Sequence, residues 1–311
     1  MLETIAFALL KGLSKLPPPV LRGLGRLVGF VFGHVIRHHR KHAFDALARS
    51  LPELSPKQRR RVVNLMYRLQ GIHSLEMIRY SLLGPEAVRE IIEFKGVERF
   101  ERALAQGQGV LVLTAHVGNY ELMPMATVSQ GHRLTTIVKT IKNPFANRII
   151  KRLRDHEDIV FLETKNAFRN CLRALKRNEI VGMVIDQNMT RKEGIFVDFF
   201  GRPACTSPGL AHLAAQSGAP VLPVFIYRRP DHRFTMDILP PLEPPSGRDA
   251  EAIREATQRY TRVIENAVRK APEQWIWMHR RWRTRPTGSD GSKRAPKNRP
   301  EGPPRNRTDS P

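Results

Sequence analysis

The residues best placed to do chemistry are His116 and Glu121, five apart, where an apolar run ends: Val110-Leu111-Val112-Leu113-Thr114-Ala115-His116-Val117-Gly118-Asn119-Tyr120-Glu121. An imidazole held by a carboxylate through one ring nitrogen has its tautomer fixed and its other nitrogen made more basic. Such a pair can take a proton from a hydroxyl. Spacing decides whether the two groups meet. In one continuous helix Glu121 would sit about 140° around the axis from His116, and no pair could form. Gly118 and Asn119 break that geometry. Gly accepts unusual backbone angles and Asn is a good N-cap, so a helix beginning near Tyr120 places Glu121 in its first turn, where a carboxylate is favoured in its charged form. The expectation is that His116, on the loop, folds back onto Glu121.

These groups need a scaffold. The stretch Val110 to Leu113 is β-branched and continuously apolar, as a strand buried on both faces of a parallel sheet requires. His116 then falls at the carboxyl end of a strand, where open α/β sheets bind ligands. Asp186-Gln187 closes the apolar run Ile180 to Ile185 in the same way and should border the same crevice, shaping a pocket or holding a head group; a plain strand-end turn would also explain it. Strands at 135–139, 159–162 and 180–185 alternate with helices at 143–154 and 167–177, which predicts parallel βαβ units. Further on, Ser207 caps a helix to Ser217, the strand 219–227 pairs with 234–239 as a hairpin, and a last helix runs from Asp249 to Lys270. The fold class is therefore α/β, with a mostly parallel central sheet flanked by helices.

The amino-terminal part reads differently. Residues 2–16 form an amphipathic helix with Lys11 and Lys15 on its polar side, stopped by Pro17-Pro18-Pro19. Val20 to Ile36 is apolar but interrupted by Arg22 and Arg26, which lie four apart on one face, leaving too few uncharged residues for a spanning helix. It also lacks the order of charge, apolar core and small-residue cleavage site of a signal peptide. The cluster Arg37, His38, His39, Arg40, Lys41, His42 follows; unspaced histidines among cations make a poor metal site, and no metal is expected. Apolar and basic faces together suit helices lying in a membrane interface, with covering of the domain core as the alternative. A long helix from Ser55-Pro56 to about Leu83 follows, with one apolar face. The chain thus divides into membrane-associating helices (1–54), an α/β domain (55–284) and a basic tail (285–311) whose composition predicts disorder.

The formal net charge is +23. Nucleic acid, an anionic membrane and an acidic or phosphorylated partner are what such a charge suggests. No nucleic-acid recognition module is present, so nucleic acid is not expected. Two cysteines, Cys171 and Cys205, have no paired spacing and read as buried thiols. Neither a G-x-S-x-G elbow nor an H-E-x-x-H pair supports a hydrolase.

Several blocks in order carry a resemblance: H-V-G-N-Y-E at 116–121, K-T-I-K-N-P at 139–144 with Arg154 after it, D-Q-N at 186–188, V-D-F-F-G-R-P-A-C-T at 197–206, G-A-P-V-L-P at 218–223 and P-E-Q-W-I-W-M-H-R-R-W at 272–282. They resemble the bacterial lipid A biosynthesis (late) acyltransferases of the lysophospholipid acyltransferase superfamily, whose H-x4-D/E signature His116 and Glu121 match. The resemblance implies a glycerolipid acyltransferase-like fold at the inner membrane, on its cytoplasmic face. It also implies transfer of a fatty acyl chain from an acyl carrier protein or acyl-CoA thioester to a hydroxyl of a lipid A precursor or related glycolipid, without a cofactor. His116 would be general base, Glu121 would orient it, and Arg154, with Lys139 behind it, would face the oxyanion of the tetrahedral intermediate. Asn119, Lys139, Asn143, Asp186, Gln187, Phe200, Gly201 and Thr206 would contact substrate. A lysophospholipid, amino-acid lipid or mannosylated lipid is the alternative acceptor, since acceptor choice depends on pocket shape. The segment with Trp275, Trp277, Trp282, His279, Arg280 and Arg281 suits an interfacial belt or a clamp on phosphorylated sugar, and packing of the carboxyl end onto the domain suits it equally.

Overall fold

The structure, a computed structural model, describes residues 2–164 and 166–287. The residues expected to form a disordered tail thus lie, from 288 onward, outside the described residues. The helices are α1 (Leu2–Ser14), α2 (Pro18–Phe30, continued by a π-helical turn to Val35), α3 (Arg40–Ser50), α4 (Pro56–Leu83), α5 (Pro85–Arg89), α6 (Val97–Leu104), α7 (Met123–Val128), α8 (Pro144–Leu153), α9 (Ala167–Lys176), α10 (Gly209–Ser217) and α11 (Ala250–Lys270). The strands are β1 (Ile92–Lys95), β2 (Val110–Thr114), β3 (Leu134–Val138), β4 (Ile159–Glu163), β5 (Ile180–Val184), β6 (Ile195–Asp198), β7 (Pro203–Thr206), β8 (Val221–Arg228) and β9 (Phe234–Ile238).

Seven strands form one sheet in the order β1-β9-β8-β2-β5-β3-β4. From β8 to β4 all neighbours are parallel, and β9 returns antiparallel on β8 as the hairpin the sequence predicts. The mostly parallel sheet flanked by helices is thus as expected. β2 lies at its centre and all five of its residues are buried. Leu111 and Leu113 point into the core formed with α3, α4, α9, α10 and α11, while Val110 and Val112 point into the opposite core with α5, α6 and α7. Burial on both faces explains why β2 has no polar alternation.

α4 begins with a full capping box: the Ser55 side chain accepts from the Gln58 N–H, and the Gln58 side chain accepts from the Ser55 N–H. α2 lies along α4, and glycines let the backbones touch. A Cβ on Gly29 would overlap the Tyr67 carbonyl, and one on Gly71 would overlap the Gly25 carbonyl. α1 is tied down at its end, where the Arg79 guanidinium donates to the carbonyls of Ser14 and Leu16. These contacts place the amino-terminal helices against the domain, yet their outer surface stays apolar: Leu2, Ile5, Leu9, Leu24, Leu27 and Val35 are all exposed. No single described helix is long and apolar enough to cross a membrane; one pair, Pro18–Val35 with Arg40–Ser50, passes that test jointly but is bent by 89°.

Candidate active site

The parallel register of β2 and β5 builds the site. Thr114 pairs with Val184. Two residues beyond each, His116 and Asp186 leave the sheet side by side. The His116 Nδ1 lies 2.7 Å from Asp186 Oδ1, and the His116 backbone N–H donates to Asp186 Oδ2 at 3.0 Å. Trp275 Nε1 donates to the same Oδ2 at 2.7 Å. With all three donors used, the carboxylate is held as an anion. Burial opposes its charge, but His116 and Trp275 outweigh burial and keep Asp186 below the ordinary carboxylate range. Burial likewise opposes a charged His116, while Asp186 and then Glu121 favour it, so the ring titrates above the ordinary imidazole value.

This corrects the expected pairing. The carboxylate bonded to His116 is Asp186, not Glu121. Glu121 accepts from Arg154 Nη2 through both oxygens, each at 2.8 Å. Asn119 does precede a helical turn, the 3-10 turn Tyr120–Leu122, but its side chain does not cap it. Instead the Asn119 amide donates to the buried Glu76 of α4 at 3.2 Å. Without the cap the loop is steered elsewhere: Gly118 adopts φ +62° and donates its N–H to the Gln274 carbonyl at 2.9 Å, and a side chain there would strike the Ile226 carbonyl. Tyr120, next along, sets its ring edge-on to His116 with centroids 4.5 Å apart. Glu121 therefore reaches Arg154 at the end of α8, and the Arg154 guanidinium lies over the Phe161 ring, 5.3 Å from its centroid. Arg154 is thus the ion-pair partner of Glu121.

Gln187 is exposed beside His116. Its amide Nε2 is 3.0 Å from His116 Nε2, the arrangement of a donor facing the lone pair of a ring protonated at Nδ1. Lys139 is exposed beyond β3, and Asn143 caps α8 by accepting from the Ala146 N–H at 3.0 Å. Neither touches His116. Phe200 belongs to the core, packed against Phe199 and Trp277. Gly201 makes the turn between β6 and β7 at φ +69°. Thr206 is buried, its hydroxyl accepting from Arg281. In the free chain these three residues make contacts within the fold, and none of them touches His116.

The carboxyl-terminal aromatic segment is a buried buttress and not an exposed belt. Trp275, Trp277 and Arg281 are almost fully buried. Beside the Trp275 bond to Asp186, Arg281 Nη1 donates to the Gln187 carbonyl at 3.1 Å and to the Cys205 carbonyl at 2.7 Å. The Thr284 N–H donates to Asn188 Oδ1 at 3.0 Å. Three consecutive residues, Asp186, Gln187 and Asn188, are therefore fixed by one short strap. Nothing in spacing alone reveals Trp275 as a donor to Asp186, since the two are far apart in sequence. Glu76 left a legible trace: it occupies the core-facing row of α4 with Ile72, where an acid demands a partner. Cys171 and Cys205 are free and buried. No group of three or more His, Cys, Asp or Glu among the described residues could hold a metal ion.

What this arrangement can do is move a proton at His116 Nε2, on a side chain about 15% exposed, with the far nitrogen clamped by a buried anion. The comparisons with known proteins agree with an enzyme. The chain is 27% identical over 285 residues to the lipid A biosynthesis palmitoleoyltransferase of Escherichia coli, covering 88% of each. It is 28% identical over 278 residues to the lauroyltransferase of the same organism, covering 88% of this chain and 89% of the relative, and 24% identical over 289 residues to the myristoyltransferase, covering 91% and 87%. Among solved structures, the 1-acyl-sn-glycerophosphate acyltransferase PlsC from Thermotoga maritima aligns over 81% of this chain and 96% of its own at 18% identity, with a TM-score of 0.37. The profile of the bacterial lipid A biosynthesis acyltransferases matches residues 1–284. A match across nearly the whole chain, site and strap included, makes this chain a member of the bacterial lipid A biosynthesis acyltransferase family and an acyltransferase that moves an acyl group from a donor to a lipid acceptor.

Proposed function

We propose that the chain moves a fatty acyl group from an acyl carrier protein or coenzyme A thioester to a hydroxyl of a lipid A precursor, with His116 as general base. The observation that carries this reading is the His116 to Asp186 contact of 2.7 Å. With Nδ1–H committed to Asp186, the lone pair of Nε2 faces the mouth and accepts the proton of the acceptor hydroxyl. The acceptor oxygen attacks the thioester carbonyl and a tetrahedral intermediate forms. Its collapse breaks the C–S bond, and the departing thiolate takes the proton back from Nε2. Asp186 stays ionised throughout and stabilises the imidazolium. Glu121 and Arg154 act as a pair: Arg154 anchors the 3-10 turn through Glu121, and its remaining positive field favours the oxyanion. The Gln187 amide, which touches Nε2 in the free site, is displaced by the acceptor hydroxyl.

The exposed apolar side chains of α1 and α2 support membrane association, which suits a lipid acceptor, and the cytoplasmic face of the inner membrane is where a carrier-protein thioester would meet it. The experiment is turnover of purified protein with acyl carrier or CoA thioester and a lipid A precursor. His116→Ala should abolish product while binding of the protein to lipid vesicles is retained. Full turnover by that variant would end the reading.

A further inference from the structure

Arg22 and Arg26 interrupt an otherwise apolar helix, and neither the fold nor the acyl-transfer chemistry requires them. Their position follows from how α2 meets α4. Gly25 touches Gly71 and Ile72, and Gly29 touches Tyr67 and Arg68, so the two helices run antiparallel. Arg22, one turn before Gly25, therefore lies level with the next turn of α4, at Glu76. Each arginine directly follows a buried residue, Leu21 or Gly25, and so flanks the contact line.

Across that line lies the end of β8. Arg228 is buried and paired with Glu76. It also donates from Nε to His73 Nε2 at 3.3 Å and from Nη1 to the His232 carbonyl at 3.2 Å. Arg22, Arg228 and Arg26 all bear on the His232 ring and, after burial, press its charged form down, with only Asp231 opposing them. The acids nearby are already engaged. Glu76 is held by Arg228, and Asp231 and Glu93 are held by Arg229. Among the described residues neither Arg22 nor Arg26 has an ion-pair partner. Arg26 is exposed, and Arg22 and His232 are half-buried, so the cluster opens to the outside. It also connects to the active-site loop, because the Glu76 that holds Arg228 accepts from Asn119, three residues from His116.

Two guanidiniums one helical turn apart, Arg22 and Arg26, whose donors hold no ion pair among the described residues, match a phosphate group, which offers several acceptor oxygens and up to two charges. The other side of α2 says where that phosphate sits. Val20, Leu24, Leu27 and Val28 are exposed there. A helix lying in the interface sinks such a face among acyl chains and keeps its flanking cations at head-group depth. We infer that Arg22 and Arg26, with Arg228 and His232 behind them, bind a phosphate group carried by a lipid head group beside the His116 crevice. That this lipid is the acyl acceptor rests on the reading of the preceding section; the phosphate site itself does not.

The test uses the full chain and flotation with phosphatidylcholine vesicles, with or without phosphatidic acid. The wild-type protein should prefer vesicles containing phosphatidic acid. Arg22→Gln with Arg26→Gln should weaken that preference by about tenfold per guanidinium removed. Lys11→Gln with Lys15→Gln, which removes equal charge from α1 and the residue that follows it, should weaken it far less. Equal losses in the two double variants would mean diffuse surface charge and overturn the site. Inorganic phosphate that competes as well as phosphatidic acid would overturn the lipid assignment. Loss of acyl carrier protein binding with vesicle preference intact would overturn the phosphate assignment in favour of an acidic protein. In turnover, the arginine double variant should raise KM for a phosphorylated glycolipid acceptor by about tenfold per guanidinium removed, about a hundredfold in all, with kcat kept, and leave KM for the dephosphorylated acceptor unchanged. A kcat loss equal for both acceptors would refute the acceptor role, while the vesicle arm would still read the site.

Discussion

Asp186→Asn separates orientation of His116 from everything else the carboxylate does. Asp186 Oδ2 accepts from the His116 backbone N–H and from Trp275 Nε1, and Oδ1 lies against His116 Nδ1. An asparagine whose single oxygen takes the Oδ2 place keeps the first two bonds. Its NH2 then faces Nδ1, and that nitrogen can pair only as an acceptor. The ring proton moves to Nε2, the nitrogen that should receive the acceptor proton. The fold keeps two of three bonds and gives up one charge-assisted one, a loss of about 1.5–3 kcal/mol at most. The rate loses the base itself. An Asp→Asn change of this kind in a Ser-His-Asp protease lowers kcat about 10⁴-fold, which corresponds to about 5.4 kcal/mol of barrier. Thermal denaturation and single-turnover acyl transfer on the same preparation separate the two effects. A small shift in Tm with a kcat loss of three to four decades is expected. A variant that folds and retains kcat within tenfold of wild type would refute the orienting role of Asp186, and more so if Glu121→Gln were the inactive one.

Other expectations follow from the same geometry. The reactive form of His116 is the neutral ring, and Asp186 and Glu121 hold its pKa above the ordinary value despite burial, so kcat/KM should fall as pH drops through an apparent pKa higher than about 6.5. In Asp186→Asn that limb should move to lower pH; an unmoved limb would assign it to another group. Trp275→Phe removes one donor from Asp186 while keeping most of the ring volume, and should cost roughly tenfold in kcat with the fold intact, as circular dichroism would show. Gly29→Ala inserts a methyl against the Tyr67 carbonyl and should loosen α2 from α4 by about 1–3 kcal/mol, seen as faster proteolysis between residues 15 and 40. Leu24→Glu with Leu27→Glu places charge on the outer face of α2 and should release the protein from vesicles without changing its melting temperature; unchanged flotation would locate the membrane contact elsewhere.

Local rules made much of the architecture legible in the sequence. Apolar runs marked β2 and β5 as strands, Ser55-Pro56 marked the start of α4, and Asn143 and Asp249 stood where the helices α8 and α11 begin. Each of these depends on residues within a turn or a strand of one another. The placing of His116 and Asp186 at strand ends was equally legible. What the chain could not disclose locally is which strand neighbours which. β5 lies beside β2 although two strands and three helices separate them, and only that adjacency converts two strand-end residues into a bonded pair. Glu121, near His116 in sequence, points to Arg154 instead, because the turn at Gly118 and the pull of Glu76 on Asn119 redirect the loop. The strap of Trp275, Arg281 and Thr284 is likewise a product of packing. Hydrogen-bond partners are selected by distance in space, and for a crossover sheet that distance is set by strand order and register, which no short window of residues contains.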